Sequence, residues 1–451
     1  MKNILRLRKN NVSEVLGWSI YDFANSAFAT SILGVIFNAH FSEVVAGGAE
    51  GVDINLFFFE IHLPGPSLFS FILSSSMFIV AVSGPVLGAI ADFSASKKKF
   101  LFFYCYLGCI LTGLLYFVGE GDYIAGSIIF ILASIGFAGG NIFYNAFLPE
   151  IADQSDMGKV SGFGWAIGYI GGGACLLLNL IMLEYPQILG FPVGFFSVNS
   201  CFLAVGIWWA LFSIPLFLMV KERSLKSKLP EGKSYINIGF GRIVNTFKKI
   251  KNYKELIKFL SAYFFYNDGI QTVIVMASIF GAEILKMDTT ERIIYFLAIQ
   301  GMAFLGSLFF GYLADKINNK KTILITLLVW CLVVTWAYFL GIFFEPIYEF
   351  WIIGILAGLV LGGSQAASRS LQGSFTPGEK GAEFFGFYAV AGRFASIAGP
   401  LVYGLITWLT GNLKIGIFSL ITFFIIGIIL LSFVDEEKGI KQAKSIITNN
   451  F

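Results

Sequence analysis

Gly88-Ala89-Ile90-Ala91-Asp92-Phe93-Ser94-Ala95-Ser96-Lys97-Lys98 closes one long apolar run, and Gly311-Tyr312-Leu313-Ala314-Asp315-Lys316-Ile317-Asn318-Asn319-Lys320-Lys321 closes another. In both, a glycine stands four residues before an aspartate, and two lysines follow. The copies lie 223 residues apart, and the same offset sets Gly139-Gly140-Asn141 on Gly362-Gly363-Ser364, Asn145 on Ser368 and Leu148 on Leu371. An offset of 224 sets Gly162 on Gly386 and Gly168 on Gly392. Nearer the N-terminus the offset is 242, which sets Tyr21, Phe23, Asn25 and Thr30 on Tyr263, Phe265, Asn267 and Thr272. A longer connecting loop in the first copy, Phe41–Ser67, accounts for the difference. Self-similarity at this length means two homologous halves.

Composition says what the halves are made of. Of the 451 residues, 57% are hydrophobic and 13% charged, and the mean hydropathy is +0.78. Apolar runs long enough to cross a bilayer, roughly 20 residues as a helix, are expected at 15–40, 67–91, 100–118, 122–147, 160–183, 195–220, 256–284, 291–314, 321–343, 348–371, 383–409 and 413–434. The fold class is therefore an all-α membrane protein of twelve spans in two six-helix bundles of equal orientation. Such bundles pack about an axis normal to the membrane, with a solute path between them. Alternating strands of a transmembrane barrel are absent from the pattern. With the N-terminus inside, only Lys286, Arg292 and Lys414 fall in the outer loops, so the +3 net charge reports topology and gives no sign of a nucleic-acid surface. Both termini are expected to be cytoplasmic. The start, MKNILRLRKNN, resembles the basic region of a signal peptide, but the apolar segment after it holds Asp22 and Asn25 and outruns signal length, so an uncleaved first span is expected.

The expected domains are a bundle over 1–220, a basic linker over 221–255, a second bundle over 256–435 and a tail over 436–451. In the linker, Ile236, Ile243, Val244, Phe247 and Ile250 fall near helical spacing, as in a surface helix on the inner leaflet; a disordered basic linker is the alternative. The tail is expected to fray. The five cysteines sit in apolar runs without metal spacing and read as small packing residues. No cofactor or metal is expected. P-loop, strand-borne GxGxxG, zinc-protease and nucleophile-elbow patterns are missing, so an enzyme is not expected.

The GxxxD-plus-lysine stretches resemble the signature loop of the major facilitator superfamily, with departures: Phe93 stands where a basic residue is usual, and Ala95 and Asn318 where glycine is usual. The resemblance implies a gate made of Gly88, Asp92, Gly311 and Asp315, in which Asp92 caps the positive N-terminus of span 11 in one state and releases it in another. A plain helix-ending turn that fixes orientation is the structural alternative.

An ionised or amide group facing lipid is costly, about 2.5–3.5 kcal/mol for Asp at a helix centre. Polar faces inside spans therefore belong at the seam between bundles. Span 1 presents Asp22, Asn25, Ser26 and Ala29, with Trp18 one turn before. Span 7 presents Tyr263, Tyr266, Asn267 and Gln271, with Asp268 at the edge. Span 4 adds Asn141, Tyr144 and Asn145; span 10 adds Gln365, Ser368, Arg369 and Gln372. Asn25 and Asn267 serve either a solute or helix–helix ties. Arg369, near the inner end, either lines the path or snorkels to headgroups. Arg393 lies about eleven residues into span 11, roughly 16 Å deep. It needs an anion, and Asp22, Asp268, Glu383 and a substrate carboxylate are the candidates. The glycine series through Gly164, Gly168 and Gly172 reads as close packing of span 5.

The first-span stretch Tyr21-Asp22-Phe23-Ala24-Asn25-Ser26-Ala27-Phe28-Ala29-Thr30 narrows the resemblance to the vacuole-effluxer-like family, as do Tyr266-Asn267-Asp268-Gly269, Gly362 through Ser370 and Glu383 through Tyr388. The resemblance implies a secondary transporter working by alternating access on a small-molecule substrate, with amino-acid efflux suggested by the fungal members and a bacterial inner membrane by the compact loops. Asp22, Asn25, Asn145, Tyr263, Asn267, Asp268, Gln271, Gln365, Arg369 and Arg393 are the substrate or coupling candidates. A proton is the candidate coupling ion, membrane lipids surround the chain, and a monomer is expected. A lipid-handling protein or a non-transporting receptor on the same fold is the alternative.

Overall fold

The computed structural model describes residues 12–223, 241 and 253–448, apart from 49, 57, 58, 64, 154, 288, 378, 379 and 411; the side chain of Arg393 also lies outside the description. The surface helix expected in the linker falls almost wholly on residues outside it. Twelve long helical segments make up the described body: α1 (Val12–Val45), α2 (Gly65–Ser94), α3 (Lys97–Leu114), α4 (Tyr123–Ala146), α5 (Met157–Glu184), α6 (Val198–Met219), α7 (Lys254–Leu285), α8 (Thr289–Ile317), α9 (Asn319–Tyr338), α10 (Pro346–Ser374), α11 (Gly381–Thr410) and α12 (Leu413–Ser432). Ten of these, among the described residues, are both long and apolar enough to cross a membrane. The other two, α7 and α11, have 32 and 30 residues, enough at 1.5 Å per residue to exceed a hydrocarbon core of about 30 Å. They carry Asn267, Asp268 and Gln271, and Glu383 and Arg393, respectively.

The first span outruns its expected end because two π-helical stretches, Phe28–Val35 and Phe41–Val45, carry it on to Val45. The loop after it adds an antiparallel hairpin, β1 (Val52–Leu56) with β2 (Phe59–Leu63), in the register Val52 opposite Leu63. Tyr123 ties that hairpin down by donating its hydroxyl to the Asp53 carbonyl at 3.1 Å. The tail does not fray as expected. Glu436–Thr448 forms a further helix, α13, and Gly439 lies against the Phe375 ring.

One apolar cluster draws on α1–α6, with Trp18, Phe28, Phe37 and Trp209 fully buried, and a second draws on α7–α12 around Phe259, Trp330 and Phe424. The two bundles meet along α2 against α11 and α5 against α8, which are matching pairs under the repeat. The end where α1 and α7 start is termed the basic end below. There the repeat continues in carboxylates. Glu222 accepts the Lys97 and Lys98 N–H groups at the start of α3 (2.8 and 3.3 Å). Glu436 accepts those of Asn319 and Lys320 at the start of α9 (3.1 and 2.8 Å). Glu14 in α1 holds the Lys221 N–H at 3.2 Å, and Glu255 in α7 holds that of Asp435 at 2.7 Å. Each pair satisfies N–H groups that a helix start or strap would otherwise leave orphaned.

Candidate functional site

The two aspartates of the repeated loop each grip the other bundle. Asp92 accepts the Ala382 N–H at 3.2 Å and the Glu383 N–H at 3.0 Å, in the first turn of α11. Asp315 accepts the Gly158 N–H at 2.8 Å and the Lys159 N–H at 3.0 Å, in the first turn of α5. A carboxylate on the first N–H groups of a helix satisfies orphan donors and faces the positive end of the dipole. The glycines four residues earlier let the backbones come this close. A Cβ on Gly311 would lie 2.7 Å from the Gly158 carbonyl oxygen and 3.0 Å from Gly162 Cα, and one on Gly88 would lie 2.6 Å from the Ala382 carbonyl carbon.

Behind Asp92 the two halves differ. Lys97 is fully buried, 3.6 Å from Asp92, and is ion-paired to Glu150. Glu150 also accepts the Arg223 N–H at 3.0 Å, and Arg223 reaches Glu14 at 2.6 Å. The structural counterpart of Lys97 is the uncharged Asn319, which donates from Nδ2 to Glu436 at 2.9 Å, whereas Lys98 and Lys320 match, donating to the Val220 and Val434 carbonyls at 2.7 Å each.

Deeper in the seam lies an ion pair. Asp22 and Arg369 are 5% and 3% exposed, with Oδ2 and Nη1 3.0 Å apart. Arg369 further donates from Nε to Ser161 Oγ at 3.1 Å and from Nη2 to the Ser161 carbonyl at 2.6 Å. The Ser161 hydroxyl in turn donates to the Ala366 carbonyl at 2.8 Å. The guanidinium lies 4.8 Å from the rings of both Trp18 and Trp165 and 5.9 Å from that of Tyr144. Trp18 stacks on Tyr144 at 4.6 Å and donates to its carbonyl at 2.9 Å. One residue of α10 thus binds α1, α4 and α5 of the other bundle. A second link across the seam joins the Tyr169 hydroxyl to Gln365.

These contacts decide between the two readings of Arg369. Arg369 does not snorkel toward the basic end. The helix α10 runs toward that end, and Cα–Cβ bonds tilt toward a helix's N-terminus, so a long side chain near the end of α10 is aimed back into the bundle. Among the described residues the ion-pair partner of Asp22 is Arg369. The Arg393 backbone lies within α11, and its side chain is outside the described residues.

The other candidates pair mostly inside their own half. Asn25 donates to Asn141 Oδ1 at 2.7 Å, and Asn267 donates to the Gly392 carbonyl at 3.4 Å. Tyr263 stacks on Tyr388 at 4.4 Å. Asp268 is fully buried and accepts the Gly399 N–H at 2.8 Å through Oδ2, while its Oδ1 has no hydrogen-bond partner among the described residues. Gln271, one turn on, is half-buried. Asn145 is half-buried; its Oδ1, and the Tyr144 hydroxyl and Trp165 Nε1 of two rings beside the guanidinium, have no hydrogen-bond partner among the described residues.

Sequence reasoning treated α5 as a packing helix and missed Ser161, Trp165 and Tyr169. The signal was present: they recur every four residues, on one helical face. The glycine spacing in the same segment masked it.

A model of the vacuole effluxer Atg22-like family matches residues 10–444. The chain is 34% identical over 421 residues to the uncharacterized MFS-type transporter YxiO of Bacillus subtilis, covering 93% of this chain and 94% of that one. It is 22% identical over 507 residues to autophagy-related protein 22 of Saccharomyces cerevisiae, covering 98% and 94%. Among solved structures it is similar to the proton:xylose symporter XylE (TM-score 0.70, 14% identity, 97% and 99% covered). It is also similar to a bacterial homologue of ferroportin in the outward-facing state (TM-score 0.64, 13% identity, 97% and 100% covered). With twelve helices in two matching bundles and a family match over nearly its whole length, the chain belongs to the Atg22-like vacuole effluxer family, as a transporter of the major facilitator superfamily.

Proposed function

We propose that this transporter exports a small amphipathic solute, amino acids first, across the plasma membrane by alternating access, as a monomer with both termini cytoplasmic and with protons as the coupling ion. The observation that carries the reading is the Asp22–Arg369 pair, buried at the seam and walled by Trp18, Trp165 and Tyr144. A zwitterion brings one charge of each sign. Its carboxylate replaces Asp22 on the guanidinium fork, and its ammonium takes the Asp22 carboxylate, so neither charge is left alone in a dry site. The Tyr144 hydroxyl and Trp165 Nε1 supply further hydrogen bonds.

The same contacts connect binding to movement. Arg369 holds α5 through both atoms of Ser161 that it touches, and the first turn of α5 is what Asp315 caps. When the guanidinium leaves Ser161, α5 loosens against the second bundle and the latches at the basic end open, which admits a solute to Asp22 and Arg369 from the cytoplasmic side; re-formation of the latches behind the bound solute then turns it to the outside. Asp268 is the proton carrier in this scheme, with Oδ1 as the site of protonation. The efflux direction draws on the family's description, and the membrane on the bacterial relative.

Reconstitution in proteoliposomes with labelled amino acids, under imposed pH or sodium gradients, tests the reading. Asp22→Asn and Arg369→Gln are expected to abolish transport in protein that still inserts and elutes as a single species. Unchanged rates remove both assignments, and movement of lysolipids in place of amino acids replaces the substrate class.

A further inference from the structure

Between the first halves of α7 and α11 the structure holds an apolar groove of about 410 Å³, lined by Leu256, Ile257, Leu260, Phe264, Phe265 and Phe387, with Ser261 and Ala391 at its edges and Tyr253 and Phe384 at the basic end. Its lining comes entirely from the second bundle. Ile257 is 37% exposed and Ser261 is exposed, so the groove opens outward. From Tyr253 to Phe265 it runs about 18 Å along α7, close to the half-thickness of a hydrocarbon core, roughly 15 Å.

Two ammonium groups mark the mouth. Lys254 is exposed and stands on the same helical face as Ile257 and Ser261. Lys380 donates to the Tyr253 hydroxyl at 3.3 Å and lies 5.7 Å from its ring. An apolar slot of one leaflet's depth with cations at its outer lip matches a molecule with an acyl chain below an anionic headgroup. The repeat does not supply a twin. In the first bundle, α5 closes on α1 so tightly that a Cβ on Gly164 would meet Trp18 Cη2 at 3.0 Å and one on Gly168 would meet Ser26 Oγ at 2.9 Å.

We infer that the α7–α11 groove is a binding site for an anionic phospholipid, its acyl chain among Leu260, Phe264 and Phe387 and its phosphate at Lys254 and Lys380. The site is distinct from the Asp22–Arg369 centre and does not depend on the solute assigned there.

Native mass spectrometry of the full-length protein, purified in mild detergent and titrated with phosphatidylglycerol or phosphatidylcholine, reads this directly. The wild type is expected to keep one phosphatidylglycerol at least tenfold more tightly than phosphatidylcholine. Lys254→Gln with Lys380→Gln should erase that preference while some binding remains, and Ser261→Trp, which fills the groove from its exposed edge, should remove the bound lipid. Ser261→Leu, a smaller change, should weaken binding in the same direction and guards against loss of fold in the tryptophan variant. Equal retention of the two lipids by the wild type, or an unchanged lipid count in both Ser261 variants, overturns the inference. So does disulfide-linked dimer formation by Ser261→Cys in native membranes, which would place a second copy in the groove.

Discussion

Replacing Asp92 by alanine offers the sharpest test of the latch. The side chain accepts two N–H groups of α11 at 3.2 and 3.0 Å. Hydrogen bonds of this capping kind contribute about 1 kcal/mol each, and the charge at the helix start adds about 0.5–1 kcal/mol. Lys97 keeps Glu150 as a partner, so no ammonium is stranded. The state closed at the basic end should lose about 2.5–3 kcal/mol, a shift of roughly 60- to 150-fold in the closed-to-open ratio. Asp315→Ala removes the equivalent pair of bonds (2.8 and 3.0 Å). Its neighbour Lys159, at 3.7 Å, is 21% exposed, so water replaces part of what is lost and the shift should be smaller. Spin labels at Lys99 and Glu437, exposed positions on opposite bundles at the basic end, would report the change by double electron–electron resonance. Longer distances should gain population in Asp92→Ala, less in Asp315→Ala, and most in the double variant. A distance distribution that matches wild type in all three would refute the capping argument.

Gly311→Val should block closure outright, because its Cβ alone would sit 2.7 Å from the Gly158 carbonyl oxygen; the Lys99–Glu437 spin-label distances should then fall wholly in the long population, and a wild-type distribution would refute the close-packing argument. Asp268→Asn keeps an oxygen for the Gly399 N–H, so thermal stability should change by less than about 1 kcal/mol, while the dependence of transport on a pH gradient is lost; full gradient dependence in the variant rules out the proton role. Glu436→Ala strands the N–H groups of Asn319 and Lys320 and should cost about 1–2 kcal/mol, measured as a lower unfolding midpoint in detergent, with transport by the remaining folded protein unaffected.

What was legible in the sequence follows from how harsh hydrocarbon is to polar groups. It forces helices long enough to cross, so the spans and their repeat could be counted along the chain. It makes Gly88 and Asp92, with Gly311 and Asp315, stand out at matching run ends. Asp22, Asn25 and Asn267 are conspicuous for the same reason, and the structure buries all three. Tertiary structure alone decided who meets whom. Asp22 and Arg369 are separated by 347 positions, and no periodicity within one helix reports a partner on another. The inward tilt of Arg369, the entry of Ser161 and Trp165 from a helix that read as packing, and the α7–α11 groove without a twin on α1–α5 all arise from how the bundles are docked. Span-by-span patterns record which face of a helix avoids lipid; only the docked bundles determine which faces touch.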